Sequence, residues 1–182
     1  MLRALLIGQI DKMERAWGYD ASYMRLVLKA SPMSFLKFGF VSQMVDRKAA
    51  PAEALAAAGI AGTLVEDCGP CTQIGVDMAA AGGVKPTVLR AILAGDEAAM
   101  GETAALAWRF ANASLARDME ACDPLRDEIV RRWGEKGLVA IGMALTTARM
   151  YPTLKYALGY GKACSRVTVA GEATPVVHLL AA

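Results

Sequence analysis

Apolar residues recur at helical spacing along most of the chain. Leu138, Ile141 and Leu145 follow one another at intervals of three and four residues, which places them on one face of a helix. The stretch from Met100 to Arg117 has the same character. The pattern predicts an all-α protein, folded as a bundle of helices.

Glycine, proline and capping residues divide this pattern into helix-length pieces. Ser31 followed by Pro32 is typical of an N-cap and a first-turn proline, and so is Asp123 followed by Pro124. Pro152 is expected to kink or divide the last helix, because proline removes an internal hydrogen bond. The predicted helices cover approximately Leu2–Trp17, Ala21–Ala30, Pro32–Asp46, Pro51–Glu66, Cys68–Ala81, Pro86–Ala94, Met100–Arg117, Pro124–Trp133 and Glu135–Tyr160.

The segment after residue 165 follows a different pattern. Val167 and Val169 alternate with polar or small residues, and Gly171 comes next. A short hairpin, an arm onto a neighbouring subunit and a disordered tail all stay open for this segment. We therefore predict one helical domain over residues 1–165 and a tail or arm over residues 166–182.

Composition supports helices and indicates an oligomer. Of the 182 residues 55% are hydrophobic but only 7% are aromatic, so alanine, leucine, valine and methionine supply most of the apolar content. Alanine-rich segments with few aromatics favour closely packed helices. So large an apolar share on a short chain also favours a buried subunit interface.

The charge distribution argues against nucleic-acid binding, and the length of the apolar runs argues against a membrane span. The net charge is only +2 and both signs are spread along the chain, so no basic stripe is available for nucleic acid. The run from Leu138 to Leu145 is far shorter than the roughly 20 residues that cross a membrane. Gln9, Asp11 and Lys12 interrupt the first apolar run, which argues against a signal peptide. We expect a cytoplasmic protein.

The candidate chemistry is a cysteine pair, Cys68-Gly69-Pro70-Cys71. Residues three apart lie on one helix face, so these thiols can form a disulfide. At a helix start, unsatisfied N–H groups favour thiolate and can lower a thiol pKa from about 8.5 to roughly 3.5–7.5. Pro70 fits a first turn. Glu66 and Asp67 oppose thiolate through their charge, or serve as the local proton acceptor.

Other interpretations of the cysteines stay open. Both can be ordinary buried thiols, and a zinc site would need two more ligands than this pair supplies. Cys122 and Cys164 are isolated in the sequence. The same Cys-Gly-Pro-Cys tetrapeptide occurs in thioredoxin, but that fold requires a strand before the motif, whereas Ala52 to Leu64 is an alanine-rich helical run.

The context of the pair resembles the alkylhydroperoxidase D-like (carboxymuconolactone decarboxylase) family. Glu66 to Cys71 is followed by an alanine-rich helix ending at Gly82-Gly83, and Asp123 to Val139 is similar to the family's late helix, turn and long final helix. The resemblance covers roughly Ala50 to Gly159. It implies an alkylhydroperoxidase D-like helical bundle and a homo-oligomer without a bound cofactor or metal.

The resemblance also implies roles for individual residues. Cys71 would be the nucleophile and Cys68 the resolving thiol, although the thioredoxin precedent reverses these roles. The family's histidine, four residues after the second cysteine, is Gly75 here, and its upstream glutamate falls near Ala56. Glu66 is the best substitute for the missing relay.

Asp77 and His178 are further candidates for the relay. Asp77 is a weaker substitute than Glu66. The single histidine, His178, lies near the far end of the chain. It reaches the pair only if the tail folds back or crosses a subunit interface, so a surface or packing role is the expectation.

Three functions follow from these observations. The first is a thiol-dependent oxidoreductase that uses Cys68 and Cys71 with a small thiol or dithiol reductant, exchanging disulfides faster than it reduces peroxide. The second is a non-catalytic oligomer that binds a small apolar ligand or a partner. The third is lactone decarboxylation, which the wider family also includes, but that reaction does not use a cysteine pair.

Light scattering tests the predicted assembly. Because of the apolar surplus, we expect a homo-dimer, trimer or hexamer at micromolar concentration. A particle of 19.2 kDa, the mass of one chain, would contradict this prediction.

Overall fold

Helices form nearly all of the regular structure in the computed structural model, which describes residues 2–161 and 167–178. The α-helices are α1 (Leu2–Trp17), α2 (Ser22–Ala30), α3 (Pro32–Gly39), α4 (Ala52–Val65), α5 (Gly69–Ala81), α6 (Pro86–Ala94), α7 (Glu97–Leu115) and α8 (Met119–Ala157). A 3-10 helix, Phe40–Gln43, follows α3. The all-α prediction is confirmed. Within the described ranges, no helix is both long and apolar enough to cross a bilayer.

Helix α4 lies at the centre of the bundle and packs against α8, α7 and α5. It is buried on nearly every side because alanine and glycine dominate its sequence. A Cβ atom added to Gly62 would lie 2.8 Å from the carbonyl oxygen of Leu145, so α4 and α8 approach each other at backbone distance. Small side chains at this crossing are therefore a geometric requirement.

Several predicted helix boundaries are confirmed and others are wrong. Ser31 caps α3, accepting a hydrogen bond from the N–H of Ser34 at 3.1 Å, and Gly95 ends α6 in the left-handed conformation. The predicted start at Asp123 is wrong. Asp118 is the N-cap of α8 and accepts from the N–H of Ala121 at 3.0 Å, so Pro124 falls inside the helix.

Two other boundaries differ from the prediction. Helix α3 ends at Gly39 and tightens into the 3-10 helix, instead of continuing to Asp46. Pro152 does not divide α8, which continues to Ala157. The change of direction in α8 occurs at Gly134, with φ 70° and ψ 177°, where the sequence predicted one helix to end and the next to begin.

The first three helices form a second apolar cluster. Its buried members are Leu6, Ile10, Tyr19, Ala21, Tyr23 and Leu28. Lys155 of α8 is 2% exposed, and its Nζ atom lies 4.7 Å from the ring centre of Tyr19 and 5.5 Å from that of Tyr23. This cation–π contact ties α8 to the N-terminal helices.

The C-terminal segment forms a hairpin, one of the three structures left open by its sequence. Strands β1 (Val167–Val169) and β2 (Glu172–Thr174) are antiparallel, with Val167 opposite Thr174. Ala170 and Gly171 both have positive φ, as a tight hairpin turn requires. Val167 and Val169 are buried, and β1 packs against α5 and α6.

Gly134 provides a stability test. Its φ and ψ lie in a region that only glycine occupies readily, so we expect Gly134→Ala to lower the free energy of unfolding by about 1–3 kcal/mol. Gly142, also in α8, has no atom within 4 Å of an added Cβ. Gly142→Ala is the matched control and should raise the free energy of unfolding by up to about 1 kcal/mol. Urea unfolding measures both, and equal effects would contradict the prediction.

Candidate active site

Cys68 occupies a turn that closes one helix and opens the next. Asp67 adopts the left-handed conformation, with φ 47°, and its N–H donates to the Leu64 carbonyl at 3.0 Å. The N–H of Cys68 donates to the Thr63 carbonyl at 3.4 Å, which completes a Schellman-type cap on α4. Cys68 is also the N-cap of α5, and its carbonyl accepts the N–H of Thr72 at 2.9 Å.

Cys68 and Cys71 form a disulfide, with their Cα atoms 5.3 Å apart. Gly69 is the first residue of α5, and Pro70 lies in its first turn, as predicted. Cys68 is fully buried and Cys71 is 3% exposed. The sulfur atoms are therefore shielded from bulk solvent at the positive end of α5.

Two threonines that sequence reasoning missed lie beneath the pair. Thr63 and Thr72 are both buried, and their hydroxyl oxygens are 3.1 Å apart. The Thr63 hydroxyl donates to the carbonyl of Ile60 at 2.9 Å. The Thr72 hydroxyl lies 3.1 Å from the Cys68 carbonyl. These contacts join the end of α4 to the start of α5. In the sequence, the only signal for the two threonines is that they are polar residues in an otherwise apolar stretch.

Glu66 and Asp77, two of the three candidate proton acceptors, bind other groups. Glu66 accepts a hydrogen bond from Nε of Arg149 on α8 at 2.7 Å, and the Thr153 hydroxyl lies 3.5 Å from its second oxygen. Asp77 accepts from the side-chain amide of Gln73 at 2.8 Å. Glu66 therefore fixes the turn to α8, and Asp77 orients Gln73.

Gln73 attaches the C-terminal hairpin to α5. Its amide nitrogen donates to the Thr168 carbonyl at 3.0 Å, and its amide oxygen accepts the Thr168 N–H at 2.7 Å. The N–H of Val177 donates to the carbonyl of Leu93 at 2.7 Å.

The returning tail also places His178 near the turn. Its Nδ1 atom is 3.9 Å from Oδ1 of Asp67, and the side chain is largely exposed. The histidine is thus on the surface, as expected, yet it lies beside the residue that precedes Cys68.

A cavity of about 600 Å³ lies between the N-terminal helices and the α4–α5 pair. Cys71 lines this cavity, and so do Gly75 and Ala56. The aromatic residues of the lining are Trp17, Tyr19, Tyr23, Phe35, Phe38 and Tyr151. The wall next to the candidate nucleophile is therefore mostly apolar.

The phenols in this wall are uncharged at neutral pH. Burial raises the pKa of Tyr19 to about 12, and burial also raises the pKa values of Tyr23 and Tyr151. The Tyr19 hydroxyl adds to the rise at Tyr23. These side chains add apolar area and hydroxyl dipoles to the cavity but no negative charge.

The remaining cysteines lie apart from the pair. Cys122 is free and buried, with its sulfur 3.5 Å from the hydroxyl of Ser114. Cys164 lies outside the described residues. In the described part of the chain, no cluster of three or more Cys, His, Asp or Glu side chains suits a metal ion.

No protein-family model, curated protein or solved structure matches the chain.

Proposed function

We propose that the protein is a thiol-dependent oxidoreductase that exchanges Cys68 and Cys71 between dithiol and disulfide. The observation that carries the proposal is the pair's position: it lies at the start of α5 and is bonded, with Cys71 in the wall of an apolar cavity. We place the protein in the cytoplasm, where small thiols or dithiols supply electrons.

Exchange at this pair proceeds in two displacements. The thiolate of one cysteine attacks a sulfur atom of the substrate disulfide, whose other sulfur leaves as a thiolate and takes up a proton. The second cysteine then attacks the mixed disulfide, releases the remaining substrate thiol and closes the Cys68–Cys71 bond. Two electrons pass from the protein to the substrate, and a thiol or dithiol reductant returns them.

Access to the cavity favours Cys71 as the nucleophile. Cys68 is the N-cap of α5 and Cys71 lies in its first turn, where unsatisfied N–H groups stabilise a thiolate. Cys71 lines the cavity, whereas Cys68 has no exposed surface. Cys68 is then the resolving thiol. Glu66 acts by position, because its ion pair with Arg149 holds the preceding turn against α8.

The positions of Gly75 and Ala56 support the resemblance to the alkylhydroperoxidase D-like family. Both line the same cavity as Cys71, where a histidine and a glutamate would form a proton relay. Because neither residue has an ionisable side chain that could transfer a proton, peroxide reduction is slow relative to disulfide exchange. The homo-oligomer implied by the family is part of this proposal.

The cavity itself favours a second function, the binding of a small apolar ligand without turnover. Its volume falls within the range of roughly 300–1,000 Å³ that small-molecule sites occupy. Half-buried apolar side chains such as Leu55, Ile74 and Met78 form part of its wall. This function holds even if the cysteines do not cycle.

Alkylation of the reduced protein across pH tests the first function. We expect at least one of Cys68 and Cys71 to be alkylated well below the pH at which a free thiol, of pKa about 8.5, reacts. Mass spectrometry after mild oxidation should locate the Cys68–Cys71 bond. Cys68→Ser should trap a mixed disulfide on Cys71, and Cys71→Ser should not.

Cys122→Ser is the matched control and should leave the alkylation profile of the pair unchanged. The redox function fails if both cysteines of the pair titrate like free or buried thiols and no bond forms between them.

Gly75→His tests the missing relay. No atom lies within 4 Å of an added Cβ at Gly75, and the new imidazole would stand one turn after Cys71 on the same helix face. We expect the rate of organic hydroperoxide reduction to rise by at least about tenfold, since a positioned general base contributes roughly 100-fold or more.

Gly142→His is the control for this variant, because Gly142 is equally open but does not line the cavity. If the two variants reduced peroxide at equal rates, the missing histidine would not explain slow peroxide reduction.

A further inference from the structure

The charge in the cavity lining indicates what kind of ligand fits. Among the described residues that line the cavity, only Arg47 carries a charge. The remainder of the lining is aliphatic, aromatic or uncharged polar. Such a site can accept an extensive apolar body, but it can neutralise only one anionic group.

The Arg47 guanidinium is available to an anion. Arg47 is exposed, in the loop between the 3-10 helix and α4. Across residues 2–161 and 167–178, no carboxylate lies within ion-pair distance of Arg47. The neighbouring Asp46 accepts the backbone N–H of Lys48 at 3.0 Å, which stabilises the loop. A planar guanidinium matches a carboxylate through two parallel hydrogen bonds.

The apolar part of the lining suits a flexible hydrocarbon chain. Met13, Met24 and Met78 come from three different helices, and their unbranched side chains adapt to irregular shapes. The cavity is bounded by six α-helices and the 3-10 helix, so its walls converge from several directions. This enclosure favours a small molecule over a protein segment.

We propose that the cavity binds an apolar carboxylic acid, with its carboxylate on Arg47 and its hydrocarbon body extending along the wall that contains Cys71. The inference rests on the ligand-binding function proposed above and does not require turnover of the cysteine pair.

Binding of a series with one chain and three headgroups tests the proposal. Dodecanoate, dodecanol and dodecylammonium, each below its micellar concentration, are titrated into the full chain by isothermal calorimetry. We expect dodecanoate to bind about threefold to fivefold more tightly than dodecanol, as a partly exposed ion pair allows, and dodecylammonium to bind most weakly. An aromatic acid, 2-naphthoate, provides a parallel arm that compares ring and chain bodies.

Two pairs of variants assign the site. Arg47→Gln should abolish the preference for the carboxylate, whereas Lys48→Gln, which removes an adjacent exposed cation outside the lining, should preserve it. Gly75→Phe should weaken every ligand by at least about tenfold by filling the cavity. Gly142→Phe adds the same side chain outside the lining and should leave the affinities unchanged.

The proposal is overturned by no measurable binding, by equal affinity for the three headgroups, or by affinities unaffected by Gly75→Phe in a protein that circular dichroism shows to be folded. Dodecanoate binding by the wild-type chain under excess reductant, where no Cys68–Cys71 bond forms, separates this question from the redox function. Unchanged binding there supports the carboxylate site whether or not the wild-type cysteines exchange, and lost binding would contradict it.

Discussion

The close approach of α4 to α8 is the constraint on which the remaining structure depends. A helix buried on nearly all sides must present small residues where neighbouring backbones cross it, and Gly62 lies against the Leu145 carbonyl for this reason. The C-terminal end of α4 then fixes the turn that carries Cys68. The same helix supplies Ala56 and Gly59 to the cavity. A larger side chain at Gly62 would therefore disturb the cysteine pair and the cavity together.

Local signals predicted much of the helical order because each acts within a few residues. Ser31, Pro70 and Gly95 occupy the cap or first-turn positions that their chemistry favours. The start of α8 was misassigned because two aspartates precede suitable helical segments, and Pro124 favoured the wrong one. Only the backbone distinguishes them: Asp118 caps a free N–H group, whereas Asp123 already lies within the helix and pairs with Arg126.

The site was predicted less completely than the helices because its contacts span the chain. A C-x-x-C at a helix start is visible in four consecutive residues. Glu66 and Arg149 are separated by 83 positions, and Gln73 and Thr168 by 95, so no local pattern pairs them. The cavity likewise needs the N-terminal helices to fold over α4 and α5. Its lining contains residues that each look like ordinary core positions in the sequence.

The main-chain hydrogen bonds of Cys68 hold the turn between α4 and α5, and they do not involve the sulfur atoms. Its N–H donates to the Thr63 carbonyl at the end of α4. Its carbonyl accepts the N–H of Thr72, which is the first backbone hydrogen bond of α5. The disulfide closes a loop of only a few residues, so it removes little entropy from the unfolded chain. Breaking it leaves the main-chain hydrogen bonds in place. We therefore expect the dithiol protein to keep the same backbone, so that the proposed exchange does not loosen the bundle around the pair.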